Sequence, residues 1–171
     1  MEKESIKSWI ITIAVAFVLA LIIRTFIFNT SNVKGPSMEA TLHENDHVIC
    51  LVFPLFYRDP KPGEIVIINS PFEAKKYVKR LIGLPGDTIK ILNGKVYVNE
   101  KELKEEYIQG AETLIDNQNT WVLGEDDYFV MGDNRLPGES MDSRAFGPVS
   151  RKAIKGIAVY RYFPFNKMGK L

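Results

Sequence analysis

The chain has 171 residues, 46% of them hydrophobic, and its 22 basic and 21 acidic residues leave a net charge of +1. That length gives room for one anchor and one domain with a single core. The balanced charge argues against a nucleic-acid partner, and a lone cysteine, Cys50, excludes an internal disulfide.

From Trp9 to Phe28 the sequence is nearly all apolar, broken by Thr12, Arg24 and Thr25. A helix of that length rises about 30 Å, the hydrocarbon thickness of a bilayer. The run predicts a transmembrane anchor over 9–28, preceded by a short N-terminal segment over 1–8, with Arg24 near enough to the end to reach the headgroups. A cleaved export signal has a shorter apolar core and ends in small residues. Here the run ends in Arg24-Thr25-Phe26-Ile27-Phe28, so the anchor is expected to stay uncleaved. Lys3 and Lys7 before the run balance Arg24 and Lys34 after it, and charge alone leaves the sidedness open.

Beyond Asn29 short apolar runs alternate with turn residues, which predicts an all-β domain over 29–171 with a barrel-like or twisted-sheet core. Gly35-Pro36-Ser37-Met38 offers a serine in an open turn. His47 to Phe53 reads as a strand that carries Cys50 as a core residue. Glu64 to Ile68 is a second strand. Tyr77 to Leu84 is a third, closed by Pro85-Gly86-Asp87. Thr88 to Leu92 and Lys95 to Val98 flank Asn93-Gly94, a two-residue hairpin signal. Residues 100–120 are polar and weakly patterned. Tyr128 to Met131 and Ile154 to Phe163 complete the strands, and Lys167 to Leu171 reads as a frayed tail.

Strand alternation puts Tyr77, Lys79 and Leu81 on one face and Val78, Arg80 and Ile82 on the other. Apolar neighbours would desolvate the Lys79 ammonium and lower its pKa. A neutral lysine amine can take the proton of a serine hydroxyl, and Ser37 is the serine placed for attack.

Taken together these segments resemble the bacterial type I signal peptidases (signal peptidase I), whose nucleophile lies in a Ser-Met-x-Pro-Thr-Leu segment. That segment is similar to Ser37-Met38-Glu39-Ala40-Thr41-Leu42 here. The family's lysine segment resembles Tyr77-Val78-Lys79-Arg80-Leu81-Ile82-Gly83-Leu84-Pro85-Gly86-Asp87. A third resembles Gly63-Glu64-Ile65-Val66. A fourth resembles Gly132-Asp133-Asn134-Arg135 followed by Ser140-Met141-Asp142-Ser143-Arg144 and Gly147.

The resemblance implies a membrane-bound serine endopeptidase that needs no cofactor or metal. It would remove signal peptides from exported preproteins at sites with small residues at the first and third positions before the cut. It implies Ser37 as nucleophile, Lys79 as general base, Ser140 as the residue that orients the lysine amine, and the Ser37 backbone N–H as oxyanion donor. Asp142 and Arg144 would form a supporting ion pair, and Asp133, Asn134 and Arg135 are architectural by the same comparison. It also implies a cytoplasmic N-terminus and a β domain outside the membrane, with preproteins and the lipid bilayer as partners. Two departures stand out: Ala40 replaces the family's proline, and Leu136-Pro137-Gly138-Glu139 makes a longer stretch before Ser140 than the family usually has.

Other readings compete. His43-Glu44-Asn45-Asp46-His47 matches the H-E-x-x-H zinc-protease pattern, which needs a helix to put both histidines on one face. Asn45 and Asp46 are poor helix residues, and a surface turn is expected instead. The histidines also offer a Ser/His/Asp triad in principle. A tethered β domain that binds preproteins or a partner without cutting them is the non-enzymatic alternative.

Overall fold

The computed structural model describes residues 2–22, 28–108, 112–115 and 118–171. Helix α1 runs over Glu2–Ile22, and its side chains from Ile6 to Leu21 are exposed. The expected transmembrane span over 9–28 is corrected here: among the described residues, no helix is long and apolar enough to cross a membrane. The apolar part of α1, Trp9 to Ile22, rises only about 21 Å, short of the roughly 30 Å of hydrocarbon. Phe28, the expected last residue of the span, already begins a strand. Arg24 lies outside the described residues.

The rest is mainly β. Strands β1 (Phe28–Asn32), β2 (His47–Leu51), β11 (Ile154–Phe163), β3 (Ile65–Asn69), β4 (Lys76–Gly83), β9 (Asp127–Met131) and β10 (Val149–Ser150) lie side by side in that order, and β12 (Gly169–Lys170) pairs with β11. A second sheet holds β7 (Lys101–Glu102), β6 (Lys95–Val98), β5 (Thr88–Leu92) and β8 (Thr120–Val122). The β5–β6 hairpin turns on Asn93 and Gly94, at φ 50° and 75°, the left-handed geometry that a two-residue turn needs.

β3 is buried on both faces, which explains its unbroken Ile65-Val66-Ile67-Ile68 run. Ile65 and Ile67 pack with Val33, Met38, Leu42, Val48, Cys50 and Ala158. Val66 and Ile68 pack with Leu81, Tyr128, Val130 and Ile154. Ile82, Phe129 and Met131 reach the other way, to Ile89, Ile91, Val96 and Trp121 of the second sheet. β4 therefore sits between cores, and a polar residue on it from Lys79 onward has little access to water.

Two local expectations change. Lys167 to Leu171 is docked rather than frayed: the Leu171 N–H donates to Val159 O, and its side chain packs on the core that holds Cys50. The extra residues before Ser140 close a turn in which the Glu139 N–H donates to Leu136 O at 3.2 Å, with Gly138 at φ 77°. Proline at the second turn position and a positive-φ glycine at the third are the type II signature. Leu136 to Glu139 are all exposed, so the bulge projects outward.

Candidate active site

Ser37 sits where β1 gives way to a tight turn: the Glu39 N–H donates to Pro36 O, and the Thr41 and Leu42 N–H groups donate to Met38 O. Met38, only 1% exposed, plugs the turn into the core. Asn134 grips the same turn twice, donating its backbone N–H to Ser37 O at 3.1 Å and its side-chain amide to Pro36 O at 3.2 Å. Both peptide planes around the nucleophile are thereby fixed, while the Ser37 N–H has no hydrogen bond among the described residues.

β4 carries Lys79 to this turn. Its Nζ donates to Ser37 Oγ at 2.7 Å, and the side chain is 3% exposed. Burial pulls the Lys79 pKa down to about 8. The Asp142 charge opposes that shift, Arg144 adds to it, and Asp133 opposes it. The Tyr77 ring lies 5.3 Å from Nζ, in keeping with the expected shared face. A buried amine bonded to a serine hydroxyl and poised near neutrality is suited to general-base chemistry.

The wall behind the pair is polar and closed. Asp142 is buried and held by Arg144 at 2.8 Å; it also accepts from the Gly132 N–H at 3.0 Å and from Ser140 Oγ at 2.7 Å. Burial pushes the Asp142 carboxyl up, but the bonds and charge of Arg144, with those of Gly132 and Ser140, hold it below the usual range. Ser140 thus bonds Asp142, and Ser37 Oγ is the hydrogen-bond partner of Lys79 among the described residues. A Cβ on Gly132 would stand 2.3 Å from both Ser37 O and Ser140 Oγ, so only glycine lets these three backbones and side chains close up.

Sequence reasoning missed Arg80. Its guanidinium is buried on the face opposite Lys79 and forks onto Asp133 at 2.8 and 2.6 Å, with Gly63 O at 2.7 Å. It also missed Glu105, which pairs with the fully buried Arg135. For Arg80 a signal existed: a charge at the centre of an apolar strand needs a partner, and Asp133 lay in a segment already singled out.

The two histidines do not share a helix. His43 precedes a turn and His47 opens β2, where its Nδ1 meets Tyr162 Oη at 3.3 Å. Asp46, between them, accepts from the His43 N–H and from Arg161. Cys50 is 3% exposed, and burial pushes its thiol up to about 11, which leaves it inert.

A cleft of about 280 Å³ opens beside Ser37 and Lys79, lined by Asn32, Val33, Met38, Tyr77 and Val78 among others. On its β4 side, Lys76 to Lys79 pair with β3 only, since pairing with β9 begins at Arg80. The cleft therefore borders an open strand edge.

The chain has been compared with known proteins. A family model described as "Signal peptidase, peptidase S26" matches residues 6–163. A signal peptidase I of Bacillus amyloliquefaciens is 39% identical over 99% of this chain and 94% of its own. Signal peptidase I S of Bacillus subtilis strain 168 is 38% identical over 99% and 95%. A crystal structure of a signal peptidase I from Enterococcus faecalis V583 aligns with a TM-score of 0.49 and 33% identity, covering 58% of this chain and 97% of that one. The family model and the two Bacillus relatives match nearly the whole chain, so this protein belongs to the peptidase S26 signal peptidase family and is a peptidase of that kind.

Proposed function

We propose that the protein is a serine endopeptidase in which Ser37 attacks and Lys79 is the general base, removing signal peptides from exported preproteins at small-x-small sites. The observation that carries this reading is the 2.7 Å bond from a buried lysine amine to the Ser37 hydroxyl. An extended preprotein segment adds as a strand along the open edge of Lys76 to Lys79, which presents its scissile carbonyl to Ser37. Neutral Lys79 accepts the Ser37 proton as Oγ bonds to the carbonyl carbon. The developing oxyanion faces the Ser37 N–H. Collapse breaks the C–N bond, and Lys79 returns the proton to the leaving amine. Water then attacks the acyl-enzyme with Lys79 again as base, and the signal peptide leaves with a free carboxylate.

On this reading the reaction runs outside the cytoplasm at the membrane surface, where exported chains emerge, and the exposed apolar side chains of α1 are available to lipid. Asp142, Arg144 and Ser140 support the lysine by fixing the charge behind it.

The test is cleavage of a preprotein in detergent by wild type, Ser37→Ala, Lys79→Ala and His43→Ala, each with and without a chelator. Loss of about a thousandfold or more is expected for Ser37→Ala and Lys79→Ala. His43→Ala and the chelator are expected to leave the rate unchanged. Loss with His43→Ala or chelator alone would overturn the reading in favour of a zinc mechanism.

A further inference from the structure

Among the described residues, the polar stretch between β7 and β8 has no regular structure, yet it touches each arginine around the dyad. Glu105, its side chain 6% exposed, accepts from both terminal nitrogens of Arg135, itself 0% exposed. Thr113 Oγ1 accepts from the same guanidinium at 2.7 Å. The Tyr107 hydroxyl donates to Glu105 at 3.0 Å, and its ring lies 4.0 Å from the Arg80 guanidinium. Leu114 O accepts from Arg144. The Thr113 N–H, bonded to Gly94 O, pins the stretch to the hairpin turn.

Arg135 also reaches the active site. Its Nε donates to Gly132 O at 2.8 Å. Gly132 is the residue that abuts Ser37 O and Ser140 Oγ and donates its N–H to Asp142. A carboxylate taking two parallel bonds fixes the plane of a guanidinium as well as its place. A small shift of a catalytic group out of line is enough to cost a large factor in rate. We infer that Glu105 is a positioning residue: through Arg135 it sets the Gly132 backbone, and so the Ser37–Lys79 alignment. The inference rests on the dyad reading and extends it to a segment outside the four family motifs.

The experiment measures kcat and KM on a preprotein for Glu105→Ala and Glu105→Gln, well below their denaturation midpoints. Val96→Ala is the comparison, since Val96 is fully buried in the small-sheet core and makes no side-chain hydrogen bond. Positioning predicts kcat lower by about ten- to a hundredfold in Glu105→Ala, with KM within about threefold. Glu105→Gln, which keeps the shape but loses the charge-assisted fork, is expected to fall between this and wild type; it also serves if Glu105→Ala does not fold. Val96→Ala is expected to keep kcat within about twofold although its core is weakened. Unchanged kcat in the folded Glu105 variants, or an equal fall in Val96→Ala, overturns the inference. Ser37→Ala in the same assay separates the two readings. If Ser37→Ala still cleaves, the dyad itself falls. If it is dead while the Glu105 variants run normally, only the positioning role is lost.

Discussion

Two regions of this molecule hold their charges in opposite ways. Around Ser37 and Lys79 the ion pairs Arg80–Asp133, Arg135–Glu105 and Arg144–Asp142 are sealed from water, their carboxylate side chains between 0% and 6% exposed. On the β5–β6–β7 sheet the Lys95–Glu102 pair joins side chains 56% and 47% exposed. The first set fixes the site, and two of its pairs, Arg80–Asp133 and Arg135–Glu105, join residues distant in sequence. The second joins near neighbours of a meander already specified by its turn and its apolar face. A buried charge must be answered by a specific partner, so the site is rigid where the hairpin is merely decorated.

The comparison breaks most sharply at Asp133. Asp133→Asn keeps the shape but leaves the Arg80 guanidinium buried without its counter-charge. We expect a loss of about 3–5 kcal/mol in urea unfolding. Replacing both partners with apolar residues, Arg80→Met with Asp133→Leu, is expected to recover most of that loss. A single variant within about 0.5 kcal/mol of wild type would mean that the wall is no more demanding than the surface.

The same contrast decides what the sequence made legible. β2, β3, β4, β5, β6, β9 and β11 follow from alternation and turn residues, because those signals are local. β1 went unseen: Phe28-Asn29-Thr30-Ser31-Asn32 has no apolar alternation, and β2 is what makes it a strand. The expected anchor failed at the same place, since a run of apolar residues does not say where helix stops and strand begins. Ser37 and Lys79 stood out through their segments, as did Asp142 and Arg144. Arg80 was placed on the other strand face but given no partner, because Asp133 lies 53 positions away. Glu105 lay in a stretch with no period at all, and only the folded chain brings it to Arg135. Long-range pairing of buried charges leaves no periodic trace in a sequence.

Burial opposes the charge of Lys79, and removing it should act in the reverse direction to removing Asp133. Burial lowers its pKa to about 8, so the fold disfavours the ammonium. Below pH 8 both the folded and unfolded chains hold the proton and the full cost is present; it is relieved as pH rises from about 8 toward the ordinary lysine value, where only the unfolded chain remains protonated. Lys79→Met is expected to raise stability at pH 7 by up to about 3 kcal/mol while abolishing cleavage. In wild type, kcat/KM should climb about tenfold per pH unit up to an acid limb near 8 and then level off. A limb at the ordinary lysine value would show that burial does not tune the base.

At the other end of the scale lies the hairpin pair. Lys95 and Glu102 meet at 2.8 Å, a distance no worse than those in the site. Distance alone would rank the two alike. Water decides otherwise: each group is well solvated when the contact is broken, and ordering two long side chains offsets the weak attraction. Lys95→Met is therefore expected to leave the urea midpoint unresolved from wild type and kcat/KM unchanged, at low and moderate salt alike. A clear loss would mean that the small sheet, through the Gly94 contact to Thr113, transmits strain into the Glu105 segment, and the hairpin would then belong to the site. A null result at the same distance as a damaging break at Asp133 would assign the difference to desolvation rather than to geometry.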